Sequence, residues 1–364
     1  MTDSRNNNHD LSEFRRRIDE LDSQIIKLLN ERACIVVDIG KTKRGSNAPI
    51  YDPDREQNVL RRIAELNEGP LLQKTLQAIY REMMSGSFAL EKSLRVGFLG
   101  PEGSFSHQTA MRKFGASVEY EPLTDIEAVF EEVERSHCDL GVTPVENTTG
   151  GDVVDTLDCF IDSHVMVVAE VMAEVHHNLL ANCPLEEITA IASKPEVFAQ
   201  CRQWLSSQGR QENFINVASS ARAAEMAASE KGLAAIGSAL AAELYDVKIA
   251  FANIEDNPNN RTRFFVIGTT AAPVSGDDKT AMMFTTRHEA GALADALSVF
   301  SRFGINLTNI ASRPSRRREW EYYFFVEAEG HCRDDNVAKA IDAARGHCGE
   351  MHVLGSFPRA RDTV

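Results

Sequence analysis

The sequence predicts a multidomain chain: an all-α unit, then an α/β unit, then an α+β unit of ferredoxin-like βαββαβ order. Three observations predict it. Apolar residues recur with a helical period from 11 to 92. Short apolar runs alternate with helical stretches from 95 to 270. The tail from 280 to 357 then reads strand, helix, strand, strand, helix, strand. A length of 364 residues agrees, because a single core stops growing at about 250–300 residues. The expected boundaries are 1–92, 94–271 and 279–360.

In the first unit, Phe14, Ile18, Leu21, Ile25, Leu28, Ile35 and Ile39 form a seam of period about 3.5. Gly45 to Pro49 breaks it. Asp52-Pro53 restarts a helix, with Asp as N-cap and Pro in the first turn. Val59, Ile63 and Leu66 continue that helix to Gly69-Pro70, and Leu72, Leu76, Ile79, Met83 and Leu90 carry a third. At ~1.5 Å per residue the first helix is roughly 50 Å long. Two shorter helices cannot cover it, so its seam is expected to pair with another subunit.

In the second unit, RVGFLG, CDLGVTPV, VMVVAEV, ITAIAS, LAAIGS and TRFFVIG read as strands. DIEAVFEEVER, EVFAQCRQWL and SSARAAEMAASE read as helices. The alternation predicts mostly parallel sheet with flanking helices, in one sheet or in two smaller lobes. APVSGDD, 272–278, reads as a linker. The tail then places strands at 280–287, 305–312, 319–328 and 351–357, and helices at 289–303 and 334–346.

A net charge of −15 argues against nucleic acid as a partner, since phosphate binding rests on clustered Lys and Arg. Residues 1–92 are neutral overall, so the remainder carries the excess. Seven dispersed cysteines without CxxC or metal-ligand spacing predict reduced thiols and no metal site. MTDSRNNNHD lacks the apolar core of a signal peptide, and no apolar run approaches the ~20 residues of a membrane span. A cytoplasmic protein is expected.

The seam carries an anomaly. Arg32 and Lys43 stand in line with Leu28, Ile35 and Ile39, Arg15 adjoins Phe14, and Arg55 lies in the first turn of the second helix. Cations at a seam edge can snorkel or pair with a glutamate. Four directed into one bundle cost several kcal/mol each unless paired, and the segment offers no matching carboxylates. A small dianion supplies the missing charge.

Residues 11–92 resemble the all-helical chorismate mutase family, through FRRRIDELD, NERACIVVDIGKTK and YDPDREQ. The resemblance implies an intertwined homodimer in which Arg15 from the partner subunit, Arg32 and Arg55 hold the carboxylates of chorismate. It also implies that Lys43 faces the ether oxygen, Asp52 and Glu56 the ring hydroxyl, and that Ser87 and Glu91 close the pocket. The family carries Gln or Glu at position 91, pointing at the ether oxygen. An ionised glutamate only accepts, so Glu91 must hold a proton to donate there. The reaction, a pericyclic rearrangement to prephenate, needs a folded conformer and well-placed donors rather than a nucleophile.

In the middle unit, PVENTTGG ends a strand and leads toward a helix, where backbone amides can meet an anion. SSARAAE repeats the device. A helix N-cap explains either stretch equally well. NNRTRFFVIG puts a threonine hydroxyl and an arginine just ahead of an apolar strand. The segment resembles prephenate dehydratase, through GPEGSFS, PVENTTGG, HNLL, SKPEVFAQC, SSARAAE and TRF. That implies two α/β lobes like those of periplasmic solute-binding proteins, with the site in the cleft. By the same resemblance Thr262 donates a proton to the leaving hydroxyl of prephenate, Arg263 holds a carboxylate and Phe264 shapes the pocket. Glu146, Asn147, Ser193 and Gln200 line it. Lys194 and Glu196 depart from the family's Ser-His-Pro-Gln, and Ser220 from its Ser-Thr.

Residues 280–358 resemble an ACT regulatory domain, through EAGALADAL and NLTNIASRPS. The resemblance implies phenylalanine as effector, held by Gly291, Ala292, Leu293, Ser312 and Arg313. The family usually carries Glu where this chain has Ala311. Taken in order, the three segments resemble the bifunctional chorismate mutase–prephenate dehydratase family, which implies feedback by phenylalanine and neither metal nor organic cofactor. A cytosolic amino-acid-sensing protein without catalysis is the alternative. It explains the three folds but not the seam cations or the TRF loop, and the chain lacks a basic DNA-reading helix.

Overall fold

The computed structural model describes residues 4–43, 51–209, 213–315 and 321–360, and for residues 4–10 and 43 the backbone only. The break expected at Gly45 to Pro49 and the side chain of Lys43 lie outside the described residues. Three helices open the chain: α1 (Ser4–Lys43), α2 (Pro53–Leu66) and α3 (Gln73–Glu91). Asp52 caps α2 as expected, its Oδ1 accepting from the Arg55 amide at 3.0 Å. α1 crosses α3 closely at Gly40, where a Cβ would meet the Glu91 Cγ at 3.2 Å. Most of α1 has no cover in this protomer. Phe14, Ile18, Ile25, Leu28 and Ile35 are all more than half exposed.

The next elements are β1 (Arg95–Leu99), α4 (Phe105–Phe114), β2 (Glu119–Leu123), α5 (Ile126–Glu134), β3 (Leu140–Asn147), β4 (Gly151–Asp152), α6 (Val154–Cys159) and β5 (Met166–Glu174). The chain then enters a second lobe through β6 (Asn178–Leu180), β7 (Ala190–Ser193), α7 (Pro195–Gln200), α8 (Arg202–Ser207), β8 (Phe214–Asn216), α9 (Ser220–Ser229), β9 (Leu233–Gly237), α10 (Ala239–Leu244) and β10 (Ile249–Phe251). It returns on β11 (Arg261–Gly268). The first lobe orders its strands β2-β1-β3-β11-β5, with β4 on β3, and the second orders them β10-β6-β9-β7-β8. Two lobes therefore form, not one sheet. Neither is mostly parallel: the returning β11 runs antiparallel to both β3 and β5, and β6 runs antiparallel to β9 and β10. Two crossovers join the lobes, at 175–177 and 252–260.

The tail gives β12 (Asp278–Thr285), α11 (Ala292–Arg302), β13 (Leu307–Pro314), β14 (Tyr322–Glu329), α12 (Asp335–Arg345) and β15 (Met351–Pro358), with strand order β13-β14-β12-β15. That is the expected βαββαβ sheet. One face packs Met282, Phe284 and Val326 under α11 and α12. The other sends Ala281, Met283, Phe325 and Phe357 into a core shared with Phe160, Val167 and Phe265 of the first lobe. Strand alternation sets both faces at once. β15 lies so close to β5 that Gly355 leaves no room for a Cβ beside the Val167 carbonyl. Among the described residues no helix is long and apolar enough to cross a membrane.

Candidate active sites and effector pocket

In the helical unit, Arg32 of α1 donates from Nη1 to the Ser87 hydroxyl of α3 at 2.8 Å, and that hydroxyl donates to the Met83 carbonyl at 2.8 Å. Ser87 thus spends its proton on its own helix and fixes the guanidinium across the groove. Glu91 faces Gly40 one turn further along. Arg55 and Arg15 are exposed. Arg15 precedes Arg32 by seventeen residues on one continuous helix, about 25 Å at ~1.5 Å per residue. One protomer cannot bring both to a single small ligand, whereas a second copy can. The Asp52 carboxylate is engaged in capping α2. Glu56 accepts at Oε2 from the Tyr51 hydroxyl at 3.0 Å and from Lys113 Nζ at 2.7 Å. Burial, then the Glu56 charge, pushes the Tyr51 phenol well above its ordinary range, so it stays a donor.

Thr262 opens β11 at the junction of the two lobes. Asn147 Oδ1 accepts from the Thr149 and Gly150 amides at 2.8 and 2.9 Å, which fixes which way its amide points. Its Nδ2 then donates to Thr262 Oγ1 at 2.8 Å and Asn260 Oδ1 at 3.0 Å. Thr262 is therefore an acceptor in this contact, and its own proton is directed elsewhere. A threonine so held is ready to donate. The same hydrogen bonds correct one expectation: PVENTTGG turns from β3 into β4, not straight into a helix, and the Thr149 and Gly150 amides are occupied rather than open to an anion.

Gln200, from the second lobe, accepts at Oε1 from His177 Nε2 at 2.7 Å and from Asn260 Nδ2 at 3.4 Å. A continuous polar chain thus runs from Thr262 across the lobe junction to His177. The His177 pKa is lowered, chiefly by burial, so the ring stays neutral and carries its proton on Nε2. Ser193, at the end of β7, donates to the Ile236 carbonyl at 2.8 Å. Lys194 and Glu196 are exposed and face each other at 4.0 Å. Ser219 caps α9 through the Arg222 amide, the simpler of the readings open for SSARAAE.

Of the neighbours of Thr262, Arg263 lies away from it. Arg263 projects from the opposite face of β11, because successive strand residues alternate. Its guanidinium donates to Glu327 of β14 at 2.7 and 2.6 Å, to Glu170 at 3.3 Å and to Glu146 at 3.1 Å. The expected carboxylate partner is thus protein, not substrate. Phe264 is fully buried in the core with Val96, Phe98 and Phe114.

In the tail, an open cavity of about 410 Å³ is lined by Arg287, His288, Gly291, Ala292, Leu293 and Tyr322. Gly291 has φ +90°, a left-handed conformation that only glycine adopts without strain, and it starts α11 over the cavity. Ser312 shares the face of its cross-strand partner Phe324, which also lines the cavity. Arg313 does not. It points to the opposite face and grips Asp158 of α6 at 2.8 and 3.1 Å, correcting the expectation that it meets the effector. Ala311 shares Arg313's face, toward the first lobe.

Sequence reasoning missed Asn260, His177, Lys113, Glu170 and Glu327. Asn260 and His177 lay inside quoted motifs, and their place at the inter-lobe crossovers was the available signal. The other three carried none. All seven cysteines are free, with Cys34 exposed and Cys138 held up at about 11 mainly by burial. No group of three or more His, Cys, Asp or Glu among the described residues is placed to hold a metal ion.

The family models for chorismate mutase type II, prephenate dehydratase and the ACT domain match residues 14–92, 96–272 and 283–346. The chain is 41% identical to the bifunctional chorismate mutase/prephenate dehydratase of Aquifex aeolicus, over 96% of this chain and 98% of that one. A prephenate dehydratase from Arthrobacter aurescens, solved in complex with L-Phe, matches with TM-score 0.70 at 27% identity, over 74% of this chain and 92% of that one. GqqA, described as a novel type of quorum quenching acylase, matches with TM-score 0.68 at 26% identity, over 73% and 98%. Identity that runs end to end through all three segments decides the family, where fold alone would not. This chain belongs to the bifunctional chorismate mutase/prephenate dehydratase family.

Proposed function

We propose that the chain converts chorismate to prephenate in its helical unit and prephenate to phenylpyruvate in its two-lobed unit, for phenylalanine biosynthesis. Phenylalanine acts back through the tail. The observation that carries this reading is the Asn147–Thr262 contact: the amide supplies the hydrogen, so the threonine keeps its proton for the substrate. As the carboxylate leaves as CO₂, its bonding electrons pass into the ring, the ring aromatises and the hydroxyl departs. Thr262 Oγ1 donates to that departing oxygen.

In the helical unit, Arg32, Arg55 and Arg15 from a partner subunit hold the two carboxylates of chorismate in the near-attack fold. Lys43 and Glu91 serve the ether oxygen, and Asp52 and Glu56 the ring hydroxyl. The exposed seam of α1 supports a homodimer, and the reading places the enzyme in the cytoplasm.

The test follows chorismate loss and phenylpyruvate formation. Arg32→Ala is expected to abolish rearrangement, by about a hundredfold or more, while the variant still dehydrates added prephenate. Thr262→Ala is expected to do the reverse. A folded Arg32→Ala protein that rearranges chorismate at the parent rate contradicts the assignment, and failure of the parent chain to consume chorismate leaves the amino-acid-sensing alternative.

A further inference from the structure

We propose that Lys113, which belongs to the dehydratase unit, is a positioning residue of the mutase site, holding the Glu56 carboxylate ready for the ring hydroxyl of chorismate. The inference rests on the reading of Glu56 given above. Lys113 sits at the end of α4, and its Nζ lies 2.7 Å from Glu56 Oε2, with the two side chains only 16% and 11% exposed. The Tyr51 hydroxyl donates to the same oxygen at 3.0 Å. Tyr51 is itself locked edge-on between Phe88 of α3 and Phe114 of α4, and the Lys113 ammonium rides 5.9 Å from its ring centre.

Both donors therefore pin one oxygen, and Oε1 accepts from no group among the described residues, which leaves it to accept from a hydroxyl. Charge gives a second reason for the lysine. Chorismate is a dianion, and an uncompensated carboxylate beside it repels it. At such low exposure the ammonium is poorly screened by salt and offsets that repulsion. Among the described residues of 14–92 none supplies this cation, so one catalytic unit completes the other's site.

Steady-state kinetics on full-length variants test it. Lys113→Met is expected to raise KM for chorismate about tenfold with kcat nearly unchanged, because the contact serves ground and transition states alike. Its kinetics with prephenate should match the parent's, and Lys113→Arg should recover most of the loss. Adding Lys113→Met to Glu56→Gln should change KM by less than about twofold, since the two act as one unit. The proposal is overturned if Glu56→Gln raises KM while Lys113→Met does not, or if the two effects multiply. Should Lys113→Met fail to fold, shown by loss of prephenate turnover, Tyr51→Phe serves instead. A several-fold rise in KM supports the pinned carboxylate, and an unchanged KM overturns it. A parent chain that does not rearrange chorismate fails the underlying reading, before any variant is compared.

Discussion

At the scale of single residues, His107 and His177, both buried, make a pH prediction. His107 stacks on Phe98 with ring centres 4.4 Å apart and accepts at Nδ1 from the Gly103 amide at 3.1 Å. Burial lowers its pKa, as it does that of His177. The unfolded chain then binds more protons than the folded one between the depressed folded value and about 6.5. Stability is expected to be flat in these groups above that pH and to fall as pH drops below it. Denaturant midpoints across pH 5 to 8 check this, and His107→Asn, which keeps an acceptor for Gly103, should reduce the acid slope. Glu91 gives a second prediction. An amide donates without needing a proton to be held, so Glu91→Gln is expected to keep or raise the mutase rate at neutral pH and leave dehydration unchanged. A large loss of chorismate turnover in that variant argues against Glu91 as the ether-oxygen donor.

At the scale of elements, α1 dominates. Forty residues span about 60 Å at ~1.5 Å per residue, yet among its described side chains only Val36 is buried as part of a hydrophobic core. An apolar helix face this long is not stable in water alone. Sedimentation is expected to show a dimer at every concentration where the chain is folded. Ile18→Glu with Ile25→Glu should give a monomer or an unfolded first unit, with mutase activity falling at least tenfold through loss of the partner's arginine. A folded, mutase-active monomer contradicts the shared site. α7 and α8 show the opposite case: EVFAQCRQWL reads as one helix, but the chain breaks at Cys201, where Asp256 takes the Gln203 amide. That carboxylate comes from the far crossover, beyond any local pattern.

At the scale of the molecule, the buried charges around Arg263 tie the tail to β11. Arg263 and Lys279 face Glu170 and Glu327 across the joint between the first lobe and the third sheet. Thr262 is the next residue along β11, and Tyr322 of the effector cavity begins the strand that carries Glu327. Phenylalanine is expected to bind at this cavity and slow dehydration. By linkage, phenylalanine and prephenate then weaken each other's binding where inhibition acts on affinity. Gly291→Val, which strains a φ of +90° and fills the cavity mouth, should cut phenylalanine affinity at least tenfold by calorimetry and leave uninhibited turnover near the parent's. Full inhibition in that variant would place the effector elsewhere.

The sequence by itself determined the order and class of the three units, the cap of α2, and the residue types that could carry chemistry. Those features depend on local periodicity, turn chemistry and side-chain type, which neighbours in the chain set. It singled out Thr262 as a candidate donor but not the contact with Asn147, which comes from another strand. It read Arg263 and Arg313 as ligand-binding cations because a cation in a motif looks alike whichever face it takes. Only the tertiary structure decided those faces. The sheet packs one side on the first lobe, so Arg263 and Arg313 meet Glu327 and Asp158 instead. It alone also brought Lys113 to Glu56, since an ion pair is set by distance in space, and residues 57 apart in the chain carry no shared pattern to announce it.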